Sequence, residues 1–514
     1  MRAATRARDE RQGRDTRPRH LPAFFTDEVN RRRTVSTETG RMSSKQAWTL
    51  GLASLASFMM ALDSLVVTTT LSTIRADLTA SIEQLEWVVN AYNLTFAVLL
   101  LTGAALGDRF GRRKMFNTGL ALFTVASVAC ALAPNIVFLI VARAFQGAGA
   151  AMVLPLSLTL ITAVFPPQTR GKAMGLYLGL TGLATFSGPF IGGAIAQGLA
   201  WQWIFWLNLP IGIVAILLAS RKVDESTGPN NKLDLGGLAL VTLGAFGIIW
   251  ALVRGNAAGW GSAEVVASIV LGVVLMVAFV FYEKRTPRPM VPMGFFKLRA
   301  FSTANPANFL VFASLYGTMF FLAQYFQVVK GHGPLVAGLM LMPWTGTLMV
   351  CAPIAGRLVD KVGERKFVVG GLFLQAVSMA WIAVAIDTNT SYLEILPALV
   401  IGSVGITAAM PAAQKAVVSA VQPQQIGQAS GVFMMLRMFG GVFGTSVSVA
   451  VFGAVGGYAT AESFAEGFSG SMTAVAILAF VGMLIGLAMP SRRPGAAPAA
   501  APPQAAAVPQ PEKA

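Results

Sequence analysis

The sequence predicts an all-α polytopic membrane protein with fourteen transmembrane helices. They form two six-helix pseudo-repeat bundles plus two extra helices between them, with the N- and C-termini cytoplasmic. Three observations carry this. First, 55% of the 514 residues are hydrophobic and 12% are charged, where soluble domains carry about 25% charge. Second, long apolar runs recur along the chain, each near the ~20 residues that cross a bilayer. None shows the period-two alternation of a barrel strand. Third, basic clusters occupy every second connection between the runs, as the positive-inside rule requires.

Residues 1–46 are Arg-rich and lack an apolar run. They read as a disordered basic cytoplasmic arm, neither a signal peptide nor a span. Met42, just ahead of the first run, is an alternative start. Six runs follow at 48–70, 83–105, 116–133, 136–160, 173–196 and 203–219, forming an N-terminal half over 47–222. Runs near 235–253 and 264–282 form an inserted hairpin within 223–299. Six more, near 303–327, 336–356, 367–386, 393–415, 429–453 and 470–489, form a C-terminal half over 300–490. Residues 491–514 are Pro/Ala-rich and read as a disordered tail.

The basic connections carry Arg109/Arg112/Arg113/Lys114, Arg170/Lys172, Arg221/Lys222, Lys284/Arg285/Arg288/Lys297/Arg299, Lys361/Arg365/Lys366 and Arg492/Arg493. The intervening ones are short or acidic, with Asp77, Glu83, Glu86, Asp387, Glu394, Glu462 and Glu466. The net charge of +16 is therefore a topology signal rather than a nucleic-acid surface. The halves repeat. ALGDRFGRRK at 105–114 is echoed by RLVDKVGERK at 357–366, RGKAMG at 170–175 by IGQASG at 426–431, and Pro155 by Pro411. Duplicated six-helix halves mark transporters that bind cargo between the halves.

The first run, Trp48 to Ile74, holds one charge, Asp63, with no basic residue within two turns. An acid at bilayer depth costs about 2.5–3.5 kcal/mol on insertion scales. Asp63 must sit neutral, face a wet cavity with a partner, or be satisfied by Ser64, Thr68 or Thr69. A group able to hold both protonation states can carry a proton. Arg143 lies inside the fourth run, sharing a helical face with Gln146, Gly147 and Ala150. Asp63 is its obvious counter-charge; the alternative is an Arg reaching to the outer surface.

Other motifs are mechanical. Asp108, Arg109, Gly111 and Arg112, echoed at Asp360, Lys361 and Gly363, suit a tight turn with paired charges that hold one arrangement of the halves. Gly175, Gly179 and Gly182 share one face of the fifth run, followed by Gly188, Pro189, Gly192 and Gly193. Small residues so spaced permit close helix approach, and the proline favours a kink. The aromatics of 201–212 suit a membrane interface. Arg437, with Gly440 and Gly444 on its face, is a second intramembrane cation. Asn305, Asn308, Gln324 and Gln327 make a polar stripe able to meet cargo or to bond between helices.

The site chemistry excludes other classes. His20 and His332 form no metal cluster, and no phosphate loop or nucleophile arrangement is present, so neither an enzyme, a metal site nor ATP as energy source is expected. Cys130 and Cys351 lie in apolar runs and are expected as free thiols.

Over residues 47–490 these motifs resemble the major facilitator superfamily, specifically its fourteen-helix drug:proton antiporters. The resemblance rests on Leu62-Asp63, WVVNAY at 87–92, the GDRFGRR loop, RAFQGAG, GPFIGG, WQWIFWLNLP, PLVAGLMLMP at 334–343 and LRMFGG, in that order. It implies proton-driven export of hydrophobic or amphipathic drugs or antibiotics by alternating access. It makes Asp63 the first-helix motif acid, Arg143 the fourth-helix arginine, and Gly188, Pro189, Gly192 and Gly193 the antiporter motif. Thr68 and Ser72 stand where the family usually has Asn and Pro. Ala104 replaces the loop motif's first Gly, and Gln202 a common Arg. No acid lies deep in the helices near 303–356, which argues against doubly charged cations as cargo. The expectation is a monomeric cell-membrane exporter with protons, lipid and a drug-like substrate as partners and no cofactor. A dedicated exporter or symporter of one metabolite, or a non-transporting sensor, remains the alternative.

Overall fold

The computed structural model of the protein describes residues 42–228, 234–287, 289–422 and 425–491. The expected arm to residue 41, Arg288, and the tail from residue 492 lie outside the described residues. Fourteen helices among the described residues are long and apolar enough to cross a membrane. In chain order they are α1 Ser44–Leu78, α2 Ile82–Phe110, α3 Arg112–Ala131, α4 Ile136–Val164, α5 Pro167–Gly198, α6 Trp203–Lys222 and α7 Leu235–Ala258. Then come α8 Ala263–Arg285, α9 Arg299–Val328, α10 Pro334–Val362, α11 Glu364–Ala385, α12 Tyr392–Val418, α13 Ile426–Val455 and α14 Ala461–Leu487.

Several helices run past the apolar runs because polar residues cap them. Ser43 and Gln46 form a capping box that starts α1 at residue 44, inside the stretch expected as arm. Ser81 with Gln84 starts α2 in the same way, and Ser391 with Glu394 starts α12. Gly111 and Gly363, at φ +105° and +97°, each make a whole helix-to-helix turn. An L side chain is strained there, so the repeated glycine is a backbone requirement. The α11–α12 turn is built on Asp387, whose carboxylate accepts from the Thr390 hydroxyl and the Asn389 and Thr390 amides. These donors hold its carboxyl below the usual carboxylate range. They favour the turn above that range and are lost as the acid protonates.

Two spans are broken. α6 is interrupted at Leu207 and α10 at Leu341. Pro210 and Pro343 follow within three residues, and each removes a donor and crowds the preceding turn. α5, by contrast, continues as helix through Pro189.

In the first half α1 packs against α5, α4 and α6, while α4 lies against α2 and α3. In the second, α9 packs against α13, α14 and α12, while α11 lies against α12 and α14. The halves meet along α2–α13, α5–α10 and α1–α9. α7 lies over α2 and α13, and α8 packs mainly on α7. Burial grades accordingly: 83% of the apolar window of α9 is buried and only 17% of that of α8, which leaves α8 to face lipid.

The α5–α10 contacts gather toward the face opposite the basic connections. A Cβ on Gly193 would overlap the Pro334 carbonyl, and one on Gly338 the Pro189 carbonyl. Gln197 Oε1 accepts from the Leu335 amide at 3.1 Å, and Gln327 Nε2 donates to the Thr69 carbonyl at 2.9 Å. Toward the basic face, Gly171, Gly175, Gly179 and Gly182 have nothing within 4 Å of a Cβ position. The close approach expected of Gly175, Gly179 and Gly182 is thus absent here and belongs to Gly188, Gly192 and Gly193.

Gly440 and Gly444 let α13 cross α9 against the Phe309 and Ala313 carbonyls. Gly444→Leu should therefore collapse the crossing, with loss of folded yield and a lowered thermal midpoint in detergent. Gly175→Ala should be neutral or stabilise by about 0.5–1 kcal/mol, since a mid-helix glycine with free space gains from a methyl group. Equal effects at the two positions would contradict this packing.

Candidate functional site

The first half is organised around an acid and a base buried in its centre. Asp63 on α1 is 3% exposed and Arg143 on α4 is 1% exposed. Arg143 Nη1 lies 2.6 Å from Asp63 Oδ2. The same nitrogen donates to Gln146 Oε1 at 2.7 Å, and Nε donates to the Val88 carbonyl at 3.2 Å. The guanidinium stands 4.3 Å over the Tyr92 ring. Gly147 brings α4 against the Tyr92 backbone, which is the approach that lets Arg143 reach α2.

The second Asp63 oxygen is also filled. Oδ1 accepts from Gln146 Nε2 at 2.8 Å and from Asn208 Nδ2 at 2.9 Å. Asn208 is the first residue after the α6 break, so the proline that interrupts the helix also sets this side chain. Its Nδ2 reaches Ser127 Oγ at 3.0 Å, and Ser127 donates to the Phe205 carbonyl at 2.9 Å. Cys130, a free thiol, completes the cluster at 3.6 Å from Gln146 Oε1. Ser64, Thr68 and Thr69 do not hold the acid. Thr68 and Thr69 donate to the Leu65 and Val66 carbonyls of their own helix. The partners come from α4 and α6 instead.

A buried ion pair is weakly stabilising overall, but removing one partner strands the other. Three donors, from Arg143, Gln146 and Asn208, thus converge on the one carboxylate.

The charged loops sit at the basic face. Arg112 pairs with Asp108 at 2.9 Å, and Arg109 lies over Phe110. The amides of Arg113 and Lys114, at the start of α3, donate to the Glu225 carboxylate at 2.9 and 3.1 Å. In the second copy Asp360 pairs with Lys415 of α12 at 2.6 Å, rather than with its own basic cluster. Both pairs lie within one half, so neither bridges the halves.

The polar stripe of α9 is distributed differently from a single cargo surface. Asn305 donates to the Phe301 carbonyl of its own helix and Asn308 to Phe433 of α13. Gln324 accepts from the Tyr458 hydroxyl, and Gln327 crosses to α1. Arg437 stands 4.2 Å over Phe312, with no carboxylate in ion-pair range among the described residues. Sequence reasoning missed Asn208 as an Asp63 partner. An amide inside an apolar span two residues before a proline was the available signal. It also placed Glu86 in a connection, whereas Glu86 is fully buried within α2.

Asp63→Ala leaves the Arg143 guanidinium buried and uncompensated and should cost about 3–5 kcal/mol. Adding Arg143→Met should recover part of that loss. Thermal unfolding of wild type, both single variants and the double variant checks it, and additive shifts would show the two side chains to be uncoupled.

Comparison with known proteins places this architecture. The Major Facilitator Superfamily model matches residues 53–445 and 306–511. The chain is 31% identical over 408 residues to the multidrug resistance protein Stp of Mycobacterium tuberculosis (strain CDC 1551 / Oshkosh), covering 79% of this chain and 76% of Stp. It is 35% identical over 427 residues to the cephamycin export protein CmcT of Amycolatopsis lactamdurans, covering 80% and 86%. A solved POT family transporter, in complex with a thioalcohol conjugated peptide, superposes with TM-score 0.65 at 16% identity, covering 85% of this chain and 94% of that one. That likeness concerns the fold alone. With fourteen membrane-length helices, duplicated halves and these relatives, the chain belongs to the major facilitator superfamily and is a multi-pass cell-membrane transporter rather than an enzyme.

Proposed function

We propose that this protein is a proton-coupled exporter of hydrophobic or amphipathic drug-like compounds, working by alternating access. The observation that carries the reading is the Asp63–Arg143 pair. It is a titratable charge pair sealed at 2.6 Å inside one half, where a change of protonation must reorganise three helices. Relatives named for multidrug resistance and antibiotic export support the cargo class. The seam geometry supports the cycle. Between α5 and α10 the halves touch through glycine and proline backbones at the face opposite the basic loops, while Gly175, Gly179 and Gly182 toward the basic face have open space beside them. With the basic face toward the cytoplasm, this is the state that admits cargo from inside.

In the proposed cycle a proton arriving at Asp63 from the outside releases Arg143, and its loss to the cytoplasm restores the pair. The gradient then supplies the work, with no bound cofactor. A dedicated exporter of one acidic compound is the second reading. Arg437, an arginine over Phe312 with no carboxylate partner, favours it.

The test is accumulation of ethidium by everted vesicles, together with susceptibility of expressing cells to a drug panel including puromycin and a cephamycin. Wild type should accumulate ethidium only while the gradient stands, and Asp63→Asn should lower the rate at least about tenfold, roughly 1.4 kcal/mol or more of coupling lost. Accumulation that survives an uncoupler would remove proton coupling. Resistance to the cephamycin alone would select the second reading.

A further inference from the structure

Among the buried acids that the mechanism leaves unused, Glu86 is the one that lies where the two halves meet. Glu86 lies one turn inside α2 from the face opposite the basic loops and is 0% exposed. Its Oε1 accepts from Asn90 Nδ2 at 2.9 Å, and the same nitrogen reaches Ser446 Oγ of α13, in the other half, at 2.9 Å. Its Oε2 has no protein partner, and neither has Asn90 Oδ1.

Among the described residues no cation pairs with it. On α2 itself the near charge is another acid, Glu83, held by Arg254 of α7 at 3.4 Å. Arg254 is shared with Glu264. On α4, Arg143 is committed to Asp63 of α1. Arg75 of α1 lies over the Tyr458 ring. On α13 the charged residue is Arg437, over two turns away from Ser446 and packed over Phe312. A carboxylate so enclosed loses its hydration without gaining a counter-charge, and the neutral acid is the form that such a site tolerates.

We propose that Glu86 is a second proton-binding residue, loaded from the opposite face while the α2–α13 seam is parted and sealed in its neutral form when the seam closes on Ser446. It rests on the proton-coupled transport reading and extends it. The Asp63 pair lies inside one half, whereas Glu86 lies between the halves. Closing the seam then requires one proton on the carboxylate oxygen, and reopening lets that proton leave to the same face or pass to the next carrier. An ionised Glu86 opposes closure, so the transporter does not shut its outward face without the ion that drives it.

The test reads the seam without any cargo. Spin labels are placed at Leu199→Cys and Leu393→Cys, both exposed and one on each half, in full-length protein with Cys351→Ser. Pulsed electron resonance in lipid nanodiscs follows their distance from pH 5 to pH 9. Wild type should move from the short to the long distance as pH rises. Glu86→Gln, which keeps the shape and the hydrogen bonds, should stay short, with the closed fraction at pH 9 raised at least about fivefold. Glu86→Asp should restore a pH response, and Asp63→Asn should retain one. A Glu86→Gln titration that superposes on wild type, with an equal thermal midpoint, would overturn the proposal and leave Glu86 a packing residue. A wild-type distance indifferent to pH would overturn it too. Failure of ethidium efflux with this titration intact would instead remove only the exporter reading.

Discussion

The structure of the first half depends on one electrostatic constraint: two opposite charges share a place from which water is excluded. Neither Asp63 nor Arg143 is tolerated there alone, and together they are tolerated only because every exposed valence is met. The surrounding features follow from that demand. Gly147 exists to bring Tyr92 and the Val88 carbonyl within reach of the guanidinium. Asn208 fills the last position on the carboxylate, and Pro210 interrupts α6 where that amide is needed. Ser127 in turn orients Asn208. A packed apolar core would have been at least as stable. What the polar cluster adds, on the proposed reading, is a response to protonation, which an apolar core lacks.

Much of this was legible in the chain. Span count, the inserted pair and the placement of the turns came from apolar runs, basic connections and the repeated glycine at 111 and 363. The pairing of Asp63 with Arg143 was legible because an uncompensated charge in lipid leaves few choices. The remaining partners were not. Gln146 and Arg143 share a face by spacing, but whether an amide turns toward an acid depends on helix rotation. Asn208 was hidden because its position is set by a helix break, and local sequence does not say which way a broken helix points. Glu86 was misplaced for a related reason. Ser81 and Gln84 start the helix before it, so an acid counted with a loop is in fact the second turn of a span.

The glycine faces show the same limit from the other side. Spacing alone made Gly175, Gly179 and Gly182 look like a packing stripe, yet they meet nothing, whereas Gly192 and Gly193 meet backbone and Gly188 the Leu65 side chain. A small residue states that close approach is possible. It does not state in which conformation the approach is used.

The two kinds of contact in the molecule explain why the halves are suited to move as units. Within a half, helices interlock through apolar side chains, as where Phe321, Phe452 and Phe464 pack together with centroids 4.3–6.2 Å apart. Parting such surfaces opens a void that neither lipid nor water fills well. Between the halves, backbone approaches at glycine and proline and single hydrogen bonds such as Gln327 to Thr69 and Asn90 to Ser446 accompany apolar packing along α2–α13, where Val442 clusters with Leu94 and Val98. Each such bond is worth only about 0.5–1.5 kcal/mol net, because water replaces it when the surfaces separate. The carboxylates at positions 63 and 86 therefore stand where a small change of charge has the largest mechanical consequence: one in the centre of a rigid half, the other on the joint.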